Sequence, residues 1–149
     1  MQLGTSKKRS KEFDKVSKKQ FYRKLITRNP TIIDVGANRG QSIDFFKKIF
    51  PKSKIYAFEP TRLFEFLIKK YKKNKNIKIS SFAVHSKKAR KKIYYHTFKT
   101  RNVLGLSGFY KINKQSKDHI RLNTLKRKDI LKNINHSFVV NCISLDEFL

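Results

Sequence analysis

Short apolar runs alternate with amphipathic segments between residues 31 and 84, and this alternation restricts the folds open to the chain more than any other feature. The runs TIIDV, KIYAF and IKISSFAV are rich in β-branched and aromatic residues and have the length of buried strands. Residues 42–50 and 63–71 lie between them and carry apolar residues at helical spacing. Strand–helix–strand–helix–strand predicts an α/β fold with a parallel sheet and right-handed crossovers.

The first strand-to-helix turn has the pattern Asp34-x-Gly36-x-Asn38-x-Gly40. Gly36 suits a tight turn with a positive φ angle. We expect Gly40 to let a ligand approach the N-terminus of the following helix. Because that terminus offers free N–H groups and a positive dipole end to a carboxylate or phosphate, the turn is a candidate cofactor site.

Three cofactors compete for this turn. A P-loop ends in Gly-Lys-Ser/Thr, and Gly40-Gln41-Ser42 lacks the lysine. A nicotinamide fingerprint needs G-x-G-x-x-G, and Asn38 occupies its second glycine position. The third is S-adenosylmethionine, whose methionine end needs a carboxylate acceptor and helix N–H donors. Glu59 follows the second predicted strand, where an acidic residue accepts hydrogen bonds from a ribose diol.

Several of these segments together resemble the N-terminal half of the FkbM-family methyltransferases. The likeness covers roughly residues 20–149 and is carried by IIDVGANRGQSIDFF, YAFEP, FAVHSKK, IYYH and ISLDEFL. It implies a Rossmann-like class I fold and S-adenosylmethionine-dependent methylation of a hydroxyl on a sugar, glycan or small natural product. It also implies a cofactor site in which the turn meets the methionine moiety, Glu59 holds the ribose and the third strand borders the adenine. The residues concerned are Asp34, Gly36, Ala37, Asn38, Gly40, Glu59, Phe82 and Ala83.

The resemblance also implies that part of the family's sheet is absent, because the family continues beyond SLDEFL into a further strand. We therefore expect an incomplete methyltransferase domain over residues 13–149, truncated after three parallel strands plus a small β insertion. Residues 1–12 are expected to form a basic flexible arm. The missing strands would pair with the open edge of the first strand, and a partner chain is one source for them. Ser144 to Glu147 fits a capping box, which predicts a helix start.

The sequence identifies no catalytic residue. His85 and His96 lie in the half of the chain with the predicted site, but no carboxylate neighbours them in sequence, so we interpret them as packing or surface residues. The single Cys142 excludes an intrachain disulfide, and the scattered histidines have no zinc-type spacing, so no metal site is predicted. Without a visible secretory signal or an apolar run of about 20 residues, a cytoplasmic protein with no membrane span is expected.

A formal net charge of +27 is the strongest compositional feature. A polyanion such as nucleic acid is one explanation. Lysine outnumbers arginine, which is the better ligand for phosphates and base edges, and the basic residues are spread along the chain, so we favour compositional bias. An inactive methyltransferase remnant and a basic nucleic-acid-binding module stay open as alternatives. In the latter, bases would stack on Tyr94, Tyr95, Phe98, Phe109 and Tyr110.

Overall fold

The computed structural model describes residues 16–26, 28–98, 101–111 and 136–148. Its helices in this part of the chain are α1 (residues 16–25), α2 (Gln41–Ile49), α3 (Leu63–Tyr71) and α4 (Leu145–Phe148). The strands are β1 (Thr31–Val35), β2 (Lys54–Phe58), β3 (Ile77–Ser80), β4 (Ala83–Val84), β5 (Ala89–Phe98), β6 (Arg101–Gly108) and β7 (His136–Ile143). The predicted arm over residues 1–12 lies outside the described residues.

The first sheet is parallel, with the strand order β1-β2-β3. Its register pairs Asp34 with Ala57 and Val35 with Phe58, so β1 and β2 end at the same edge. The crossovers between these strands contain α2 and α3, as parallel neighbours require. The predicted α/β fold with a three-stranded parallel sheet is therefore confirmed. Among the described strands, β1 has a neighbour on one side only, and Val35 at its end is 55% exposed.

One face of this sheet packs against α2 and α3. Alternate residues of a strand point to the same face, which places Ile55 and Ala57 of β2 on the helix side. Ile43 of α2 and Leu67 of α3 meet them there and are completely buried. On the opposite face, the ring of Phe148 from α4 lies 4.8 Å from the ring of Phe58, centroid to centroid. The helical spacing seen in the sequence thus identifies the buried side of α2. In α3 it identifies Leu67, whereas Ile68 on the same predicted face is 43% exposed.

The second sheet has the order β4-β7-β5-β6, with β4 and β7 parallel and the other pairs antiparallel. It corrects the prediction that residues 77–84 form one strand, because β3 ends at Ser80 and β4 begins at Ala83 in the other sheet. The Phe82 N–H faces Ser80 Oγ across this bend at 3.4 Å. The predicted small β insertion lies in this four-stranded sheet, which also includes β4 from the third predicted strand.

The chain's last described helix begins with the predicted capping box. The Glu147 N–H donates to Ser144 Oγ at 3.2 Å, and the Ser144 N–H donates to Glu147 Oε2 at 3.4 Å. Glu147 is therefore engaged in capping α4, and the predicted helix start is confirmed. None of the helices described here is long and apolar enough to cross a membrane.

Candidate functional site

The turn between β1 and α2, residues 36–40, lies at the carboxyl edge of the parallel sheet. Its backbone has positive φ angles at Gly36 (79°), Asn38 (51°) and Gly40 (81°). Glycine takes this conformation without steric cost, and asparagine tolerates it better than most residues do. The spacing of small residues that stands out in the sequence is thus explained first by backbone geometry.

Hydrogen bonds attach this turn to the end of β2. The N–H groups of Gly36 and Ala37 both donate to the carbonyl oxygen of Phe58, at 2.9 and 3.0 Å. The Asn38 N–H donates to Glu59 Oε2 at 2.8 Å, and the Gly40 N–H donates to the Ala37 carbonyl at 2.7 Å. These N–H groups already have protein acceptors. The donors left for a ligand are at the start of α2, where Gly40 provides no side-chain cap.

Glu59 is a buried carboxylate, 4% exposed, that joins two turns. Its Oε2 accepts the Asn38 N–H, and its Oε1 accepts the Thr61 N–H at 2.9 Å. Sequence reasoning missed this bridging role, although a glutamate directly after a buried run was the available signal. Each carboxylate oxygen has a second acceptor site, so the arrangement is compatible with the predicted ribose contact.

Asp34, the last but one residue of β1, brings a second carboxylate to the same edge. Its Oδ2 is buried and has no hydrogen-bond partner. Burial, and then the charge of Glu59, raise the pKa of Asp34 above its usual value. A buried acceptor without a partner is rare in folded proteins, and a cationic donor from a ligand would satisfy it.

We expect the pH dependence of stability to reveal Asp34. Below its unfolded pKa of 3.8, the carboxyl is protonated whether the chain is folded or not, and the stability that it contributes is fully present. As pH rises through the raised folded pKa, that contribution is lost. The ligand-free Asp34→Asn protein should therefore melt progressively higher than wild type as pH rises from about 4 to 7. Scanning calorimetry across this range measures the difference, and a constant offset would contradict it.

The side chain of Tyr71, the last residue of α3, packs against Gly40. A Cβ at Gly40 would collide with the Tyr71 hydroxyl and lie 2.9 Å from Cε2 of its ring. The same hydroxyl lies 3.0 Å from the Gly40 carbonyl oxygen and 2.6 Å from Asp44 Oδ1. Burial and the hydrogen bond to Asp44 raise the pKa of Tyr71 to about 12, so the phenol stays protonated at neutral pH. Lys70 completes this contact by pairing with Asp44 Oδ2 at 2.6 Å.

This packing corrects the expectation that Gly40 lets a ligand approach the N-terminus of α2. The space beside Gly40 is filled by Tyr71 and is not left open for a ligand. Gly36 differs, because nothing lies within 4 Å of the position that its Cβ would take. The open approach to the turn is therefore at Gly36.

A cleft of about 180 Å³ begins at Gly36. Phe82 and Ala83, the residues predicted to border the adenine, form part of its wall. The fold thus brings a residue from the first turn together with both residues from the third predicted strand. The cleft is smaller than the roughly 300–1,000 Å³ of typical small-molecule sites. It can enclose one part of a larger ligand.

The structure gives no catalytic role to His85. The ring of His85 lies 5.5 Å from the ring of Phe109, centroid to centroid, and its Nδ1 faces Ser86 Oγ at 3.3 Å. The side chain of His96 lies outside the described part. No group of three or more metal-ligating side chains occurs among the described residues.

Comparison with known proteins gives a partial match. No family model and no curated protein match the chain. Among solved structures, the crystal structure of the methyltransferase FkbM from Methylobacillus flagellatus KT matches with 16% identity and a TM-score of 0.37. The match covers 47% of this chain and about a fifth (22%) of that one, and an overlap of this size carries no conclusion about activity. Over that part, the chain is similar to a member of the family that its sequence motifs resemble.

Proposed function

We propose that this chain binds S-adenosylmethionine at the edge formed by Asp34, the 36–40 turn and Glu59, and that it acts as a methyltransferase. The observation that carries the proposal is the buried Asp34 Oδ2, which lacks a partner beside the open approach at Gly36. A ligand with a cationic group would satisfy it. The α-ammonium of the cofactor's methionine end is such a group.

The charges of this edge favour that cofactor over one that carries phosphates. Asp34 and Glu59 lie close enough for the charge of Glu59 to raise the pKa of Asp34. Two carboxylates repel a pyrophosphate, whereas they stabilise a ligand with an ammonium and a sulfonium. In a chain of net charge +27, an acidic site of this kind stands out.

The remaining contacts follow from the donors and acceptors at the site. The first N–H groups of α2, at residues 41–43, would bind the cofactor's carboxylate, because helix geometry leaves them without intrahelical partners. Glu59 would use its second acceptor sites for the ribose hydroxyls. Phe82 and Ala83 would border the adenine in the cleft.

When bound, the cofactor supplies a methyl group carried on a positively charged sulfur. The contribution of the protein is to orient it and to exclude water around it. We propose a hydroxyl of a sugar, glycan or small natural product as the acceptor, on the strength of the sequence resemblance alone. No side chain among the described residues is assigned as a general base.

Isothermal titration calorimetry with S-adenosylmethionine tests the cofactor proposal. Asp34→Asn should weaken binding about tenfold or more, because it removes the charged acceptor from the ammonium. Glu65→Gln is the matched control, since Glu65 is an exposed carboxylate in the first turn of α3 and should leave the affinity unchanged. A folded chain that binds no S-adenosylmethionine would contradict the proposal and favour an inactive remnant.

A further inference from the structure

The edge of the parallel sheet opposite the cofactor turn carries a group of exposed lysines. We call Lys52, Lys54, Lys75 and Lys78 the lysine edge. They come from the loop after α2, the start of β2, the loop after α3 and the start of β3. Because the connections that lead into parallel strands all lie at one edge, the fold gathers residues that are up to 26 positions apart in sequence.

The helix dipoles do not explain the lysine edge. They account for Lys47 and Lys48 in the last turn of α2 and for Lys69 and Lys70 in that of α3, at about 0.3–1 kcal/mol each. That effect falls off beyond the last turn, and the lysine edge lies past it in loops and strands. Internal pairing does not explain it either. Among the residues that the structure describes, the ion pair joins Lys70 to Asp44 and includes no member of the lysine edge.

Three members of the lysine edge surround one cleft. Lys54, Lys75 and Lys78 line a space of about 100 Å³ together with Tyr56 and Asn76. The Lys78 Nζ lies 5.6 Å from the centroid of the Tyr56 ring. Like charges around one cleft disfavour each other, and a bound anion removes that cost. The cleft is far below the roughly 300 Å³ of a small-molecule site, so it suits one charged group of a longer ligand.

We propose that the lysine edge binds the backbone of a single-stranded nucleic acid. A strand offers repeated phosphates for the lysines and flat bases for the Tyr56 ring that lines the cleft. Lysine acts as a point charge and does not distinguish bases, so binding is independent of sequence. Basic membrane-binding surfaces combine lysine with apolar anchors. Residues 50–58 and 69–80 contain none of the exposed large apolar side chains.

This site is independent of the cofactor site. It lies at the other edge of the sheet, shares no residue with the 36–40 turn, and would hold whether or not S-adenosylmethionine binds. It also changes the interpretation of the net charge. Compositional bias predicts binding governed by total charge, whereas the lysine edge predicts binding governed by position.

Fluorescence anisotropy with the full chain and a labelled oligothymidylate of about 12 nucleotides separates these cases. In the triple variant Lys54→Gln/Lys75→Gln/Lys78→Gln, affinity should fall about tenfold, and the slope of log affinity against log salt should decrease by about 2, or roughly 0.7 for each lost phosphate contact. The control Lys87→Gln/Lys88→Gln/Lys92→Gln removes the same charge from exposed positions in β5 and in the loop that precedes it, and should change both quantities little.

Three outcomes would overturn the proposal. They are equal losses in the two triple variants, no measurable binding of the oligonucleotide by the wild-type chain, and binding to anionic phospholipid vesicles that exceeds binding to the oligonucleotide. All six lysines are exposed, so we expect both variants to fold. Should a circular dichroism spectrum show otherwise, the single change Lys75→Gln in the loop must still lower the salt slope by about 0.7.

Discussion

Replacing Glu59 by alanine is expected to lower the free energy of unfolding by about 2–4 kcal/mol. Both carboxylate oxygens accept a backbone N–H, one from Asn38 and one from Thr61. The variant would leave the two donors without an acceptor at a buried position. A lost acceptor of this kind costs about 1–3 kcal/mol, and the half-buried Asn38 N–H recovers part of that by meeting water.

Urea denaturation of the ligand-free protein measures this effect, with Glu65→Ala as the control. Glu65 is exposed in the first turn of α3, so its loss should cost only the helix-dipole contribution, about 0.3–1 kcal/mol. Similar costs for the two variants would show that the bridge between the turns contributes nothing. The expected stability loss also means that weak cofactor binding by Glu59→Ala would not isolate a ribose contact.

Changing the ligand instead of the protein isolates that contact. Wild-type protein should bind a 2′-deoxy analogue of S-adenosylmethionine more weakly than the cofactor itself if Glu59 accepts a ribose hydroxyl. The bridging carboxylate stays intact in this comparison. Equal affinity would remove the ribose role from Glu59 and leave its role in the fold untouched.

The parts of the fold that follow from sequence are those set by local pattern. The apolar stripes of α2 and α3 predict the completely buried Ile43 and Leu67, although Ile68 of the α3 stripe is 43% exposed. The capping box at Ser144 also needs only neighbouring residues. Local periodicity could not show that residues 77–84 bend at Phe82 and divide between two sheets, because β4 is defined by its pairing with β7, which lies more than 50 residues later.

The candidate site was likewise predictable only in part from the sequence. Its position and its small residues follow from the strand–turn–helix pattern. The partner of Gly40 does not, because Tyr71 arrives from another helix 31 positions along the chain. The hydrogen bonds of Glu59 were equally hidden, since one of its two donors, Asn38, belongs to the preceding strand-to-helix turn. Contacts between distant segments therefore decide which small residues are packed against the fold and which remain open to a ligand.

Gly40→Ala should destabilise the protein by about 2–4 kcal/mol, and Gly36→Ala by about 1–2 kcal/mol. Both glycines have φ near 80°, so both variants carry the strain of a left-handed alanine. At Gly40 the new Cβ also collides with Tyr71, which must move away from the Gly40 carbonyl and from Asp44. The Gly36 Cβ would meet nothing within 4 Å.

The order of the two variants should reverse when cofactor binding is measured. Gly36→Ala places a methyl group in the open approach to the turn and should weaken S-adenosylmethionine binding more than its stability loss suggests. Gly40→Ala should act through stability, and its cost should shrink in a Tyr71→Ala background, where the collision is absent. Urea denaturation and calorimetry of the same proteins give both orders. If the two variants rank in the same order in both assays, the ligand does not approach at Gly36, and the open space beside Gly36 is not part of the cofactor site.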